Sequence, residues 1–182
     1  MKAFFKANAF LRFLTFAGLL YLGLYLVYQF VVRKYTYYDQ GFIRLIIYSA
    51  DFFLKLLGYK TFMVLQDIDL QVIGIDGSNG VWIGSNCNAI TLFGLFAVFI
   101  FAYPGPAKHK AWFVPAGILA IHLLNVLRVV ALAMIANSAP EYLDFNHTYT
   151  FTFLMYSFIF LLWMFWIKRF GSLQEPAHSS HD

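Results

Sequence analysis

The chain has 182 residues, of which 61% are hydrophobic, 21% aromatic and only 12% charged, with a formal net charge of +4. A soluble domain of this length cannot hide so much apolar surface, since ordinary usage is roughly 45–50% apolar and about 25% charged. The basic residues cluster at the ends of apolar runs, where they read as topology determinants and not as a nucleic-acid surface, and the single cysteine excludes an internal disulfide framework and any multi-cysteine metal site. The expected class is therefore an all-α polytopic membrane protein, a single integral domain over 1–171.

In chain order, the first apolar run covers 9–32, preceded by Lys2 and Lys6 and carrying Arg12 near its start. It exceeds a secretory h-region and has no small-x-small cleavage signature, so it reads as a retained signal anchor. The next piece, Phe42 to Gly58, "FIRLIIYSADFFLKLLG", is helix-like but holds Arg44, Asp51 and Lys55. Each of these costs about 2.5–3.5 kcal/mol at the centre of a spanning helix. Its apolar residues fall largely on one side, and Asp51 and Lys55 have the i,i+4 spacing of an ion pair. These features predict an amphipathic or re-entrant helix over 42–58, on or dipping into the outer leaflet. From 60 to 86 the periodicity changes. β-branched and apolar residues flank the turn dipeptides Asp76-Gly77 and Asn79-Gly80, predicting a short extracytoplasmic β-hairpin.

Three further spans follow, at 89–103, 111–135 and 148–167. Pro104-Gly105-Pro106 stops the first of them, Lys108-His109-Lys110 precedes the next, and Lys168-Arg169 closes the last. With four spans the N-terminal, Lys108–Lys110 and Lys168-Arg169 clusters all fall on the cytoplasmic side, leaving Arg33-Lys34 as a minor violation. Both termini are then cytoplasmic, and the polar stretch 172–182 reads as a disordered tail.

This layout puts Cys87 at the outer end of the second span. Arg128 lies some 17 residues into the third span, roughly 25 Å up a core of about 30 Å, and His147 stands at the outer start of the fourth. A thiol, a guanidinium and an imidazole from three separate segments thus share one level. Taken singly, each has an ordinary explanation: inert packing for the cysteine, snorkelling to headgroups for the arginine, an interfacial position for the histidine. Their common depth argues for a site. A thiol becomes a strong nucleophile on ionisation, an adjacent cation favours that form, and an imidazole can take the proton and return it to a leaving amine. Arg128 can instead hold the oxyanion of a tetrahedral intermediate. Asn125, one turn before Arg128, can orient the guanidinium, and Asn86 and Asn88, which bracket the thiol, can donate to an oxyanion. His122, six residues from Arg128, falls on a different face and reads as structural, or as packed against another helix by a hydrogen bond. His109, His178 and His181 lie in the cytoplasmic loop or tail, and the glycosylation sequon Asn146-His147-Thr148 abuts a span and reads as accidental.

"CNAITLFGLFAVFIFAYPG", then "NVLRVVALAMIA", then His147 before the last span resemble the exosortase/archaeosortase family over roughly Gly74 to Lys168. The resemblance implies an integral membrane cysteine protease or transpeptidase in which Cys87 is the nucleophile, Arg128 the second essential residue and His147 the third, with no cofactor. It implies substrates anchored in the same membrane by a C-terminal sorting helix, with a short motif before it and a basic tail after it, and a bacterial cytoplasmic membrane as the location. Two departures stand out. Many members carry Cys-Ser-Gly or Cys-Thr-Gly where this chain has Cys87-Asn88-Ala89, and larger members have around eight spans. Two other functions fit the residues: a non-catalytic subunit or scaffold of envelope or exopolysaccharide assembly, and a membrane thiol acyltransferase using the same side chains without proteolysis.

Overall fold

The structure is a computed structural model that describes residues 9–27, 30, 37–66, 70–84, 87 and 89–171. Its helices are α1 (Ala9–Val27), α2 (Tyr37–Leu56), α3 (Ile90–Ala102), α4 (Ala107–Ser138) and α5 (Phe151–Phe170). A small sheet of β1 (Thr61–Gln66), β2 (Leu70–Ile75) and β3 (Val81–Trp82) lies between α2 and α3 in sequence. A 3₁₀ turn (Pro140–Tyr142), one α-turn (Leu143–Phe145) and a π-helical segment (Asn146–Thr150) lead from α4 into α5.

The chain is thus mostly helical, and among the described residues two helices are long and apolar enough to cross a membrane, Ala107–Ser138 and Pro140–Phe170. This supports a membrane location. The run expected to span over 89–103 is shorter as a helix: α3 has 13 residues, about 20 Å at 1.5 Å per residue, against a hydrocarbon core of about 30 Å. Its length is cut at both ends. Ala89 before it sits in the left-handed region, φ 60°, and Pro104-Gly105-Pro106 ends it. Lys110 folds back on that stop, its Nζ donating to the carbonyls of Phe101 at 2.9 Å and Tyr103 at 2.8 Å, which satisfies acceptors the helix end leaves over.

α4 runs through two hydrophobic cores. Its first half packs Phe113, Val114 and Ile121 against Phe96 and Ile100 of α3 and Met155, Ile159 and Trp166 of α5. Its second half, Val126 to Ala136, packs against Ile43, Ile46, Ile47, Ala50 and Leu54 of α2 and Ile73, Ile75, Val81 and Ile83 of the sheet. α1 lies against α3 and leaves Leu19, Leu22 and Leu24 largely uncovered.

The 60–86 region holds three strands where a two-stranded hairpin was expected. β1 and β2 pair antiparallel from Thr61↔Ile75 to Gln66↔Leu70, and β2 pairs β3 at Val72↔Trp82 and Ile73↔Val81. Within the run "TFMVLQDIDLQVIGI", Thr61–Gln66 and Leu70–Ile75 form separate strands. Both turn glycines of the β2–β3 connection, Gly77 and Gly80, have positive φ, so the dipeptides marked in the sequence do make a turn.

In α2 the Asp51–Lys55 ion pair forms at 2.8 Å, and the buried Asp51 also accepts from Thr61 Oγ1, tying the helix to the first residue of β1. The apolar residues are less one-sided than expected. Opposite the buried face, Leu45, Tyr48, Phe52 and Leu56 form an exposed row at spacings of three and four residues.

Close packing of α3 on α4 depends on Gly117. A Cβ there would lie 2.2 Å from the Phe96 ring, which is fully buried. Small residues let membrane helices approach in this way. Gly117→Ala gains up to about 1 kcal/mol of helix propensity but overpacks a site where such insertions cost about 1–3 kcal/mol. Its melting temperature in detergent is expected to fall, that of Gly117→Leu to fall further, and Phe96→Leu in the Gly117→Ala background to restore part of the loss.

Candidate active site

Cys87 lies in a 3₁₀ turn between β3 and α3. The sheet delivers it there: Ile83 donates its N–H to Gln71 O at 2.8 Å, and Cys87 donates its own to Gly84 O at 2.8 Å. The Cys87 carbonyl accepts a 2.8 Å bond from Asn125 Nδ2. Asn125 is fully buried at the point of α4 where one core gives way to the other, eighteen residues past Ala107, or about 27 Å along the helix. The sequence-based role for Asn125, orienting Arg128, is therefore replaced by another: its amide holds the backbone of the cysteine. The buried Cys87 carbonyl needs a partner, and Asn125 supplies it.

His147 reaches the same place from the opposite side. It stands in the π-helical segment Asn146–Thr150, a helix form that recurs at functional sites, and its Nε2 lies 3.4 Å from Cys87 Sγ. That separation permits proton exchange in either direction: an unprotonated Nε2 accepts from the thiol, and a protonated one donates to a thiolate. Thr152 Oγ1 lies 3.5 Å from the His147 carbonyl, five residues back, the reach of a π turn.

Arg128 completes the surroundings. With His147, Ala89, Thr91, Leu92, Thr148, Thr152, Met155 and Tyr156 it lines a cleft of about 290 Å³. Its Nε is buried without a hydrogen-bond partner, and no ion pair or hydrogen bond engages the guanidinium among the described residues. Its charge acts on His147, as does the opposite charge of Asp144. An unpartnered cation on the wall of a cleft can stabilise negative charge that develops there. Cys87 itself does not line the cleft. It is 5% exposed, and His147 of the cleft wall lies 3.4 Å from its sulfur.

Of the six residues singled out from the sequence, Cys87, His147 and Asn125 are thus in direct contact, and Arg128 shares the cleft with His147. Asn86 and Asn88 lie outside the described residues. His122 does pack against another helix, but through a ring-edge contact with Phe42 of α2, centroids 5.7 Å apart, and its buried Nδ1 has no hydrogen-bond partner. The cleft hydroxyls were missed. Thr148, Thr152 and Tyr156 recur every four residues, a helical-face pattern that could have flagged them. Gln71 was missed too: it is 1% exposed with both amide atoms unpartnered, and strand alternation with Ile73 and Ile75 places it on the buried face. Among the described residues no group of three His, Cys, Asp or Glu could hold a metal ion.

Ala89, the residue after the cysteine turn, is the one non-glycine described residue with positive φ, and it stands where the resembled family commonly has glycine. The left-handed region costs an L-residue roughly 1–2 kcal/mol. Ala89→Gly relieves this while losing a buried methyl worth about 0.8 kcal/mol, so it is expected to melt close to the wild type, whereas the β-branched Ala89→Val is expected to melt well below it. Asn125→Leu strands the Cys87 carbonyl and is expected to cost about 1–3 kcal/mol, read as a lowered melting temperature in detergent. No family model, no curated protein and no solved structure matches this chain.

Proposed function

We propose that this protein is an exosortase-like membrane cysteine endopeptidase or transpeptidase, acting at the extracytoplasmic face of a bacterial cytoplasmic membrane. In this reading α1, α3 with its flanking turn, α4 and α5 are the four spans, and both termini are cytoplasmic. The short α3 is continued towards the outer surface by the turn that holds the buried Cys87, and membranes admit non-helical backbone where protein buries it. The observation that carries the proposal is the 3.4 Å approach of His147 Nε2 to Cys87 Sγ beside a cleft walled by an unpartnered arginine. Further support comes from the resemblance of the Cys87, Arg128 and His147 segments to the exosortase/archaeosortase pattern.

The substrate is a protein anchored by a C-terminal helix that packs laterally on this bundle and places an extracytoplasmic motif in the cleft. The proton of the Cys87 thiol passes to His147 Nε2 and the thiolate attacks the scissile carbonyl. A C–S bond forms, and the guanidinium of Arg128 faces the resulting oxyanion. The imidazolium gives its proton to the leaving nitrogen as the C–N bond breaks, releasing the helix and leaving a thioester. Water or an acceptor in the envelope then takes the acyl group and restores the thiol.

The test is processing of a candidate substrate followed by immunoblot, with mass spectrometry of the product to show whether a peptide bond is cut. Cys87→Ala is expected to leave the substrate full-length. His147→Ala is expected to slow cleavage by about 10²–10⁴, the usual contribution of a positioned acid–base group. Normal processing in Cys87→Ala refutes the proposal and favours a scaffold role. Acyl transfer without peptide cleavage favours a thiol acyltransferase.

A further inference from the structure

The position of the sulfur relative to the cleft carries an inference about access, which rests on the reading of Cys87 as nucleophile. A substrate carbonyl bound in the cleft meets Arg128, His147, Ala89 and the hydroxyls of Thr91, Thr148 and Thr152, but not the thiol. The sulfur belongs to a residue 5% exposed and grouped with Val126, Val129 and Ile83 in the outer hydrophobic core. From the cleft wall the imidazole of His147 comes within 3.4 Å of it. In this arrangement the sulfur is in contact with its base but screened from its electrophile.

We propose that the structure is the closed state of a histidine gate: the His147 ring covers the Cys87 thiol, and it must swing into the cleft before the sulfur can react. The swing is also productive. The ring that leaves the sulfur carries the proton it has taken from S–H on Nε2, and it carries that proton to the side where the leaving nitrogen lies. Uncovering the nucleophile and delivering the acid are then one movement, so a thiolate is exposed only as the acid enters the cleft. The backbone on which the ring sits suits this. Five consecutive residues, Asn146–Thr150, adopt π-helical geometry, whose wider turn is less favourable than the α-helix and recurs at functional sites. The ring has room to move into, since the cleft holds about 290 Å³ and its wall offers hydroxyls to a displaced imidazole. Such minor states are commonly populated at about 0.1–10%, and a reaction that needs the open state is slowed by that fraction, at least about tenfold.

Cys87 is the only thiol in the chain, so alkylation reports the gate directly and needs no substrate. The full-length protein in detergent is treated with iodoacetamide at fixed pH, and the adduct is followed by intact mass against the same protein in denaturant. The wild type is expected to react at least about tenfold more slowly than the denatured chain. His147→Gly is expected to remove most of that protection, and His147→Gln, which keeps a side chain of similar reach over the sulfur, to retain it. A histidine serving only as an activating base requires the opposite sign, slower alkylation in His147→Gly. That result, or a wild-type rate equal to that of the denatured chain, overturns the gate. Melting in the same detergent verifies that each variant is folded. If His147→Gly is not, His147→Ala makes the comparison, and the wild-type protection ratio decides the first point without any variant. Because no cleavage is measured, the gate can fail while Cys87→Ala still abolishes processing, and the reverse.

Discussion

The bond from Asn125 Nδ2 to the Cys87 carbonyl is the contact on which the arrangement around the cysteine turns. A fully buried amide is costly unless it is hydrogen-bonded, and so is a buried carbonyl with no partner. The bond satisfies the Cys87 carbonyl and the amide's Nδ2, while Asn125 Oδ1 is buried without a partner. The bond falls where α4 passes from the bundle core into the core it shares with α2 and the sheet, so it ties the turn to a helix that contributes buried residues to both. The sheet fixes the same turn from the other side through Ile83 and Gly84. Between them they leave the cysteine little freedom to move along the axis of α4.

The remaining geometry follows from this anchor. Once the chain leaves Cys87, it must enter α3 within three residues, and it does so through a left-handed Ala89. α3 can then lie close to α4 only because Gly117 admits the Phe96 ring against its backbone. α5 is held against both by Met155, Ile159 and Trp166. Its N-terminal extension, in π-helical geometry, carries His147 to the sulfur. Cys87 and His147 are sixty residues apart in sequence, and their contact depends on the packing of three helices. Arg128 needs no such long path, since it is one turn from Asn125 on the same helix. Among the described residues its guanidinium is unengaged, and an unengaged cation is the form in which an arginine is most useful to a developing negative charge.

Much of this was written locally in the chain. Apolar runs of membrane length, ended by Pro104-Gly105-Pro106 and by Lys168-Arg169, mark α4, α5 and the stop of α3, because hydrocarbon demands continuous helix and punishes charge. The Asp51–Lys55 pair and the turns at Asp76-Gly77 and Asn79-Gly80 depend only on neighbours a few residues away, so spacing and φ preference predict them. The shared level of Cys87 and His147 could also be reached by counting residues along helices of fixed rise.

Tertiary structure alone decided the matters that depend on which faces meet. Counting gives a depth but not a rotation about the helix axis, so it could not tell that Asn125 turns to the cysteine backbone and not to Arg128. Nor could it tell that His122 meets Phe42 by its ring edge. The extra strand comes from pairing Thr61–Gln66 with Leu70–Ile75, a long-range register that the pattern of the run did not specify. The burial of Cys87, 5% exposed, is likewise invisible in sequence. Composition and periodicity set which residues can be buried and at what level, because those are properties of single elements in a solvent. Contact between side chains on separate elements is set by how the elements rotate and close on one another, and that is a property of the packed whole.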